Sequence, residues 1–261
     1  MITINYDEEN LLFGNHLFQY SLIRLIALKN NYNFHVKYPN HLLHCFPNLD
    51  LGICDGETYK YIEEDTQTQT YIESVFNIPD FIELKGYYQT PKYFEGNEDL
   101  VKSWFNIEID NDVLSIINRF PVDKYCYIHI RGADYKSNNW SLPTKYYLDA
   151  MEEVKKINKD ISFVIVTDDI ELSETLFPDI EIITSEAHKY GTFGKNGVVD
   201  FKSLYFSKYC IISASTFSWW AAWLSTDHKE IIIAPNNWLN HNFPERGFYP
   251  VDIKTKEFTY L

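Results

Sequence analysis

The stretch YIHIRGADY, residues 127–135, decides how the rest of the chain is read. With KYC before it, residues 124–130 read as a buried strand: apolar β-formers alternate with polar residues until the pattern stops at an Arg-Gly turn. The strand ends by presenting His129, Arg131 and Asp134 together. Two readings are open at this point. One is an ion pair at a strand edge. The other is a fixed cation placed to meet an anionic group, which an Arg at a strand end can grip through two parallel hydrogen bonds.

Outward from that strand the second half alternates regularly. PTKYYLDAMEEVKKIN (143–158) predicts a helix with Pro143 in its first turn and Tyr147, Met151, Val154 and Ile157 on one face. SFVIVTDD (162–169) predicts a strand ending in Asp168 and Asp169, IELSETLF a short helix, and DIEIITS another strand. VVDFKSLYFSKY (198–209) predicts a helix, CIISAS (210–215) a strand, TFSWWAAWLST (216–226) a helix, and KEIIIAP (229–235) a last strand closed by Pro235. Strands of near-continuous apolar residues alternating with helices imply a parallel sheet covered on both faces. Ligands of such sheets sit beyond the carboxyl ends of the strands. HIRGAD, TDD and SAST all fall at such ends, so they are expected to converge on one crevice.

The first half is less regular. ENLLFGNHLFQYSLIRLIALKN (9–30) predicts a Gly-Asn turn running into an amphipathic helix, and NFHVKY (33–38) a strand. Residues 39–98 hold short strand-like pieces among turn residues, and residues 98–121 are expected to be mostly helical and to link two halves, divided as 1–115 and 116–261.

The composition excludes several classes. The chain has 261 residues and a formal net charge of -14, so its long-range field repels nucleic acid and anionic lipid, while a local cationic pocket can still take a small anion. No apolar run approaches the ~20 residues of a membrane helix. The start, MITINYDEEN, lacks the basic region of a secretory signal, so a cytoplasmic protein is expected, with attachment to the periphery of a membrane as a variant. Cys45, Cys54, Cys126 and Cys210 show no CxxC spacing and read as free thiols. Aromatic residues make up 17% of the chain, so rings are expected to fill much of the core.

Three local patterns carry chemistry. FGNH before a helix places backbone N–H groups where an anion can bind, although a plain turn explains the same residues. In SASTFSWW, Ser215, Thr216 and Ser218 are cap-type residues at the start of a helix, with Trp219, Trp220 and Trp223 as core. A metal alternative rests on the carboxylate patterns DND (110–112) and TDD. IDNDVL reads equally as a helix N-terminus, and His41, His44 and Cys45 lack a second ligand pair for zinc.

Four stretches in chain order resemble the α-1,2-fucosyltransferase family, glycosyltransferase family 11: FGNHLFQYS (13–21), GYYQTPKYF (86–94), HIRGADY (129–135), and SASTFSWWAAWL (213–224) with IIIAPNNW (231–238). The resemblance implies an α/β, GT-B-like fold: two Rossmann-type domains with parallel sheets facing a cleft, an N-terminal acceptor-side domain and a C-terminal donor domain. It implies transfer of L-fucose from GDP-fucose to an oligosaccharide hydroxyl, inverting, with no metal and no other cofactor. Carried over by motif, His129 and Arg131 contact the nucleotide and its β-phosphate. Ser215, Thr216, Phe217 and Ser218 hold phosphate and ribose, Asp200 the guanine edge, and Asn15 the sugar. Asp168 is counted with them on the donor side because its strand end joins the same crevice. His16 is the first candidate for the proton acceptor and Asp134 the second.

Two departures stand out. The family's His-x-Arg-Arg-x-Asp box, matched by HIRGAD, carries a second Arg where this chain has Gly132, and the family's N-terminal Gly-Asn segment carries a Gln where this chain has His16. Gly132 favours a non-catalytic nucleotide- or glycan-binding domain as an alternative, whereas Arg131 and the intact STFSWW segment favour an enzyme. A third reading keeps the chemistry and changes the sugar to a related deoxyhexose.

Overall fold

A computed structural model describes residues 1–6, 13–58, 60–63, 70–183, 195–239 and 250–261. The chain forms two compact α/β units. Met1–Ile107 with Tyr249–Lys254 make the first, and Glu108–Phe248 with Thr255–Leu261 the second. The division therefore falls at 107/108 and not at 115/116. The reason lies in the helix Asn111–Arg119, here α4: its N-cap Asp110 pairs with Lys202 of α8 (Lys195–Phe206) at 2.9 Å, which ties the helix to the second unit. Residue 252 returns to the first unit because its carboxylate takes the Tyr71 N–H at 2.9 Å and the Lys92 ammonium at 2.6 Å.

The first unit is built on four parallel strands in the order β2-β1-β4-β3: β1 (Ile2–Asn5), β2 (Phe34–Lys37), β3 (Lys60–Glu63) and β4 (Ile82–Lys85). The helix α1 (Phe13–Asn30) follows β1, and α2 (Asn40–Cys45) follows β2. α1 is buried along both faces from Phe13 to Ile23, so it is a core helix and not the amphipathic helix expected from the sequence. Gly14 and Asn15 lie within its first turn and do not form a turn ahead of it. The segment 98–121 is two helices, α3 (Glu98–Ser103) and α4, separated by residues 104–110.

The second unit holds six parallel strands in the order β10-β9-β8-β5-β6-β7. Their spans are β5 (Tyr125–Ile130), β6 (Ser162–Thr167), β7 (Ile182–Ile183), β8 (Tyr209–Ile211), β9 (Ile231–Ala234) and β10 (Thr259–Tyr260). β9 is not the last strand: Thr259 and Tyr260 add an edge beside Ile233 and Ala234. β5 is central and pairs with β6 from Tyr125↔Ser162 to Ile130↔Thr167 and with β8 from Cys126↔Tyr209 to Ile128↔Ile211. Burial on both faces explains its near-continuous apolar sequence.

With α4, the described residues of this unit include the helices α5 (Ala133–Asn138), α6 (Thr144–Ile157), α7 (Ile170–Leu176), α8 and α9 (Thr216–Trp223). Pro143 is the N-cap of α6, and Tyr146, Tyr147, Ala150, Met151 and Val154 form its buried face, while Ile157 is exposed at its frayed end. Trp219, Trp220 and Trp223 are buried as core residues should be: Trp219 stacks on Trp223, and Trp220 meets both edge-on. From β5 the chain runs through β6 to β7 on one side, then returns to β8 on the other. The carboxyl ends of β5 and β8 therefore mark the point where the strand order reverses, the place where open α/β sheets bind ligands.

Candidate active site

At the end of β5 the backbone turns through Gly132 into α5. Arg131 sits on that turn between two carboxylates. Its Nη2 donates to Asp134 Oδ1 at 2.7 Å and its Nη1 pairs with Asp168 Oδ2. Asp168, at the end of β6, also accepts the Gly132 N–H at 2.8 Å, so it is fixed to both strand ends. The guanidinium lies 5.5 Å from the centre of the Tyr135 ring, whose hydroxyl is tied to the Ala214 carbonyl at 2.7 Å. Burial works against the Arg131 charge, but Asp168 and then Asp134 more than restore it, and its pKa is raised. Burial pushes the Asp168 carboxyl up, opposed by Arg131.

Gly132 is sterically committed. A Cβ there would lie 2.2 Å from Asp169 Cβ, a contact no folded protein accommodates without movement. Asp169 cannot easily yield, because it caps α7 by accepting the Leu172 N–H at 2.9 Å and pairs with Lys136 at 2.9 Å. The cluster thus contains two cations, Arg131 and Lys136, and three carboxylates.

On the neighbouring strand, β8 leads through Ser213 into α9. Ser215 occupies the N-cap position with extended backbone and makes no side-chain cap bond. Its N–H instead reaches the Ser213 carbonyl at 2.8 Å, and its carbonyl accepts from the Ser218 hydroxyl at 3.2 Å. The sequence expectation that the Ser215 hydroxyl caps the helix is therefore not met. The first turn of α9 carries the partial positive charge of a helix N-terminus. His129 contacts Ser213 Oγ through Nδ1 at 2.7 Å, and both residues are buried. Burial, and then the Arg131 cation, lower the His129 pKa from 6.5 to about 3, so the ring is neutral at pH 7. The ring of Phe217 lies 5.6 Å from His129 and 5.4 Å from Phe201 on α8. Asp200 precedes Phe201 and is buried on that helix.

In the first unit a second polar group forms at the ends of β1, β2 and β4. Gln89 donates from Nε2 to Asn15 Oδ1 at 2.7 Å, and Gln19 Nε2 donates to the Gly86 carbonyl. Gly86 has φ 132°, a conformation open mainly to glycine, and it turns the chain after β4. His16 Nδ1 bonds to His41 Nε2, and the His16 ring stacks on Tyr6 with centroids 4.0 Å apart. Burial and the neighbouring imidazole lower His16 to about 3, and burial with His44 lowers His41 to about 4.

Of the residues singled out in the sequence, His129, Arg131, Asp134, Asp168, Ser215, Thr216, Phe217 and Ser218 belong to elements around the β5 and β8 ends of the second unit, with Asp200 on α8 beside Phe201. Asn15 and His16 stand together at the start of α1 in the first unit. Sequence reading passed over Ser213, Lys136 and Gln89, whose contacts join residues 84, 33 and 74 positions apart, and weighed His41 only as a zinc ligand, whereas its partner is His16, 25 positions away. Only Gln89 and Ser213 carried a signal, since both lie inside quoted motifs. Asp110 caps α4 and pairs with Lys202, which gives the DND pattern a structural use. Among the described residues no group of three or more His, Cys, Asp or Glu is arranged to hold a metal ion.

A family model described as Glycosyl transferase family 11 matches residues 53–261. An alpha-1,2-colitosyltransferase of Escherichia coli is 30% identical over 214 residues, covering 77% of this chain and 69% of that protein. The O-antigen biosynthesis glycosyltransferase WbnK of Escherichia coli is 25% identical over 176 residues, 61% of this chain and 56% of that protein. Among solved structures, NodZ alpha-1,6-fucosyltransferase soaked with GDP-fucose has a TM-score of 0.55 at 13% identity, covering 90% of this chain and 94% of that one. The Escherichia coli ADP-heptose heptosyltransferase II gives 0.51 at 10% identity, covering 100% and 89%. These likenesses show the fold: GT-B-like, with two Rossmann-type units on parallel sheets.

Proposed function

Because the chain belongs to glycosyl transferase family 11, we propose that it moves L-fucose from GDP-β-L-fucose to a glycan hydroxyl, the 2-hydroxyl of a galactose-type residue, with inversion and without a metal ion. One observation carries this reading. At the point where the strand order of the second unit reverses, the Arg131 fork, the neutral His129 and the N-terminus of α9 come together. All three suit the oxygens of a diphosphate.

In the proposed reaction the bond between fucose C1 and the β-phosphate oxygen breaks while the acceptor oxygen bonds to C1 from the opposite face. The electron pair leaves with GDP. Its charge is met by Arg131, His129 and the segment Ser215–Ser218 rather than by a divalent cation. Asp168 orients Arg131. Asp200 takes the two adjacent donors of guanine. The acceptor hydroxyl proton passes to Asp134, a half-exposed carboxylate that the diphosphate would release by replacing it on Arg131. His16, bonded to His41, in this scheme orders the start of α1 beside Asn15. Asn15 and Gln89 belong to the acceptor side.

The experiment is a melting titration followed by a transfer assay. GDP is expected to raise the melting temperature by a few degrees at a hundredfold excess over Kd, where the linkage term is about 2.7 kcal/mol, and UDP to do little. Transfer from GDP-fucose should survive excess EDTA. Equal stabilisation by UDP removes the guanine assignment, and loss of transfer on chelation with recovery on Mg²⁺ or Mn²⁺ removes the metal-free mechanism. The 30% identity to an alpha-1,2-colitosyltransferase favours a second reading, in which the sugar is colitose, which lacks the fucose 3-hydroxyl. The two donors in parallel assays separate the readings.

A further inference from the structure

His129 at the end of β5 and Ser213, two residues beyond the adjacent strand β8, share no sequence motif, yet their side chains meet at 2.7 Å and both residues are buried. A neutral imidazole carries its proton on one nitrogen, and the bond made by the other decides which. Two arrangements satisfy the distance. In one, His129 Nδ1–H donates to Ser213 Oγ, and the hydroxyl proton must then find another acceptor. Ser213 is 1% exposed, and among the described residues its hydroxyl has no other partner. A buried hydroxyl proton without an acceptor is costly. In the other, the hydroxyl donates to the bare Nδ1 and both polar atoms are satisfied. The ring proton then sits on Nε2, for which the described residues supply no partner, at the strand end that carries Arg131.

We infer that Ser213 is a positioning residue: its hydroxyl donates to His129 Nδ1 and holds the imidazole as a neutral ring with its proton on Nε2, a donor for a diphosphate oxygen beside Arg131 and not a proton acceptor. The tautomer stands on the geometry alone, while the diphosphate rests on the proposed function. The neutral state agrees with the surroundings, since burial and the adjacent guanidinium both oppose a second proton on the ring. Aligned on Nε2–H, the ring adds an uncharged donor to a cluster whose carboxylates outnumber its cations, without adding a charge that Arg131 would repel.

The test is ¹⁵N–¹H NMR of the full chain labelled at histidine, with the His129 signals assigned by their loss in His129→Gln. The wild type is expected to show a pyrrole-type Nε2 and a pyridine-type Nδ1 at pH 7. Ser213→Ala should shift the ring toward the other tautomer and weaken GDP about tenfold, and Ser213→Thr should restore both. A wild-type ring protonated on Nδ1, or charged, overturns the inference without reference to any ligand, and so does a tautomer unmoved by Ser213→Ala. GDP and inorganic pyrophosphate are then titrated into the wild type. Perturbation of Nε2 by pyrophosphate but not GDP supports the inference and removes the nucleotide. Perturbation by neither removes the donor role together with the proposed function and leaves the tautomer assignment standing.

Discussion

Arg131 and Asp134 form a 2.7 Å hydrogen bond across the first turn after β5, while the other arm of the same guanidinium holds Asp168. The two carboxylates are unequal. Asp168 is additionally bound by the Gly132 N–H and is 27% exposed, whereas Asp134 is 51% exposed on a six-residue helix. A diphosphate competing for Arg131 should therefore displace Asp134 and keep Asp168.

Asp134→Asn should then tighten GDP binding several-fold and lower transfer by about 100-fold or more, because the anion no longer competes with a carboxylate while the proton acceptor is lost. Isothermal titration and turnover at saturating donor measure the two effects separately. Weaker GDP binding in this variant would assign Asp134 to orienting Arg131. Full turnover would remove it from proton transfer.

Arg131→Ala should lower turnover by roughly 100-fold or more, the usual loss for one preorganised donor on a developing charge. Arg131→Lys should recover little, since an ammonium cannot hold Asp168 and a phosphate oxygen through a planar fork. A folded Arg131→Ala protein with near-normal transfer would exclude the residue from the mechanism.

Restoring the family's second Arg should fail. Gly132→Ala already places a Cβ 2.2 Å from Asp169 Cβ, and a longer side chain starts from the same point. Overpacking of this kind typically costs about 1–3 kcal/mol. Both Gly132→Ala and Gly132→Arg are expected to melt several degrees lower, with no gain in transfer. A Gly132→Arg protein of normal stability and higher activity would show that Asp169 and Lys136 yield readily.

Acid should unfold the protein through its neutral histidines. His16 and His129 are lowered to about 3 and His41 to about 4, against 6.5 in the unfolded chain. Between pH 6.5 and about 4 the unfolded state binds protons that the native state refuses, so stability falls as pH falls, by up to about 1.4 kcal/mol per pH unit for each histidine. Denaturant melts from pH 7 to 4.5 should show this slope, and His129→Gln should flatten it by one proton. A stability flat across that range would mean these rings are protonated in the fold.

Lys229 supports the site from behind. It is half-buried, and its ammonium donates to the carbonyls of Leu204 at 2.5 Å, Tyr205 at 3.0 Å and Ser207 at 2.5 Å, closing the C-terminal end of α8. Burial lowers its pKa to about 8. Lys229→Met should strand these carbonyls and destabilise the fold by about 3 kcal/mol or more, read as a lower melting temperature with donor affinity retained in the protein that remains folded. Unchanged melting would show that water replaces the ammonium.

The sequence by itself determined the architecture of the second unit and the position of its polar strand ends. Runs such as SFVIVT and YCYIHI are apolar because both faces of a parallel strand are covered, and their punctuation by Arg-Gly, Asp-Asp and Ser-Thr is local. It left the first unit largely unread, because β1, β3 and β4 are four-residue strands whose pattern is too short to separate from loops. Only the tertiary structure decided the strand order that sets β5 beside β8, and with it the meeting of His129 with Ser213, of Lys136 with Asp169 across Gly132, and of Asn15 with Gln89. The two levels differ in range: hydrophobic periodicity reports what a few consecutive residues face, whereas a hydrogen bond between residues 84 positions apart exists only once the sheet has chosen its neighbours.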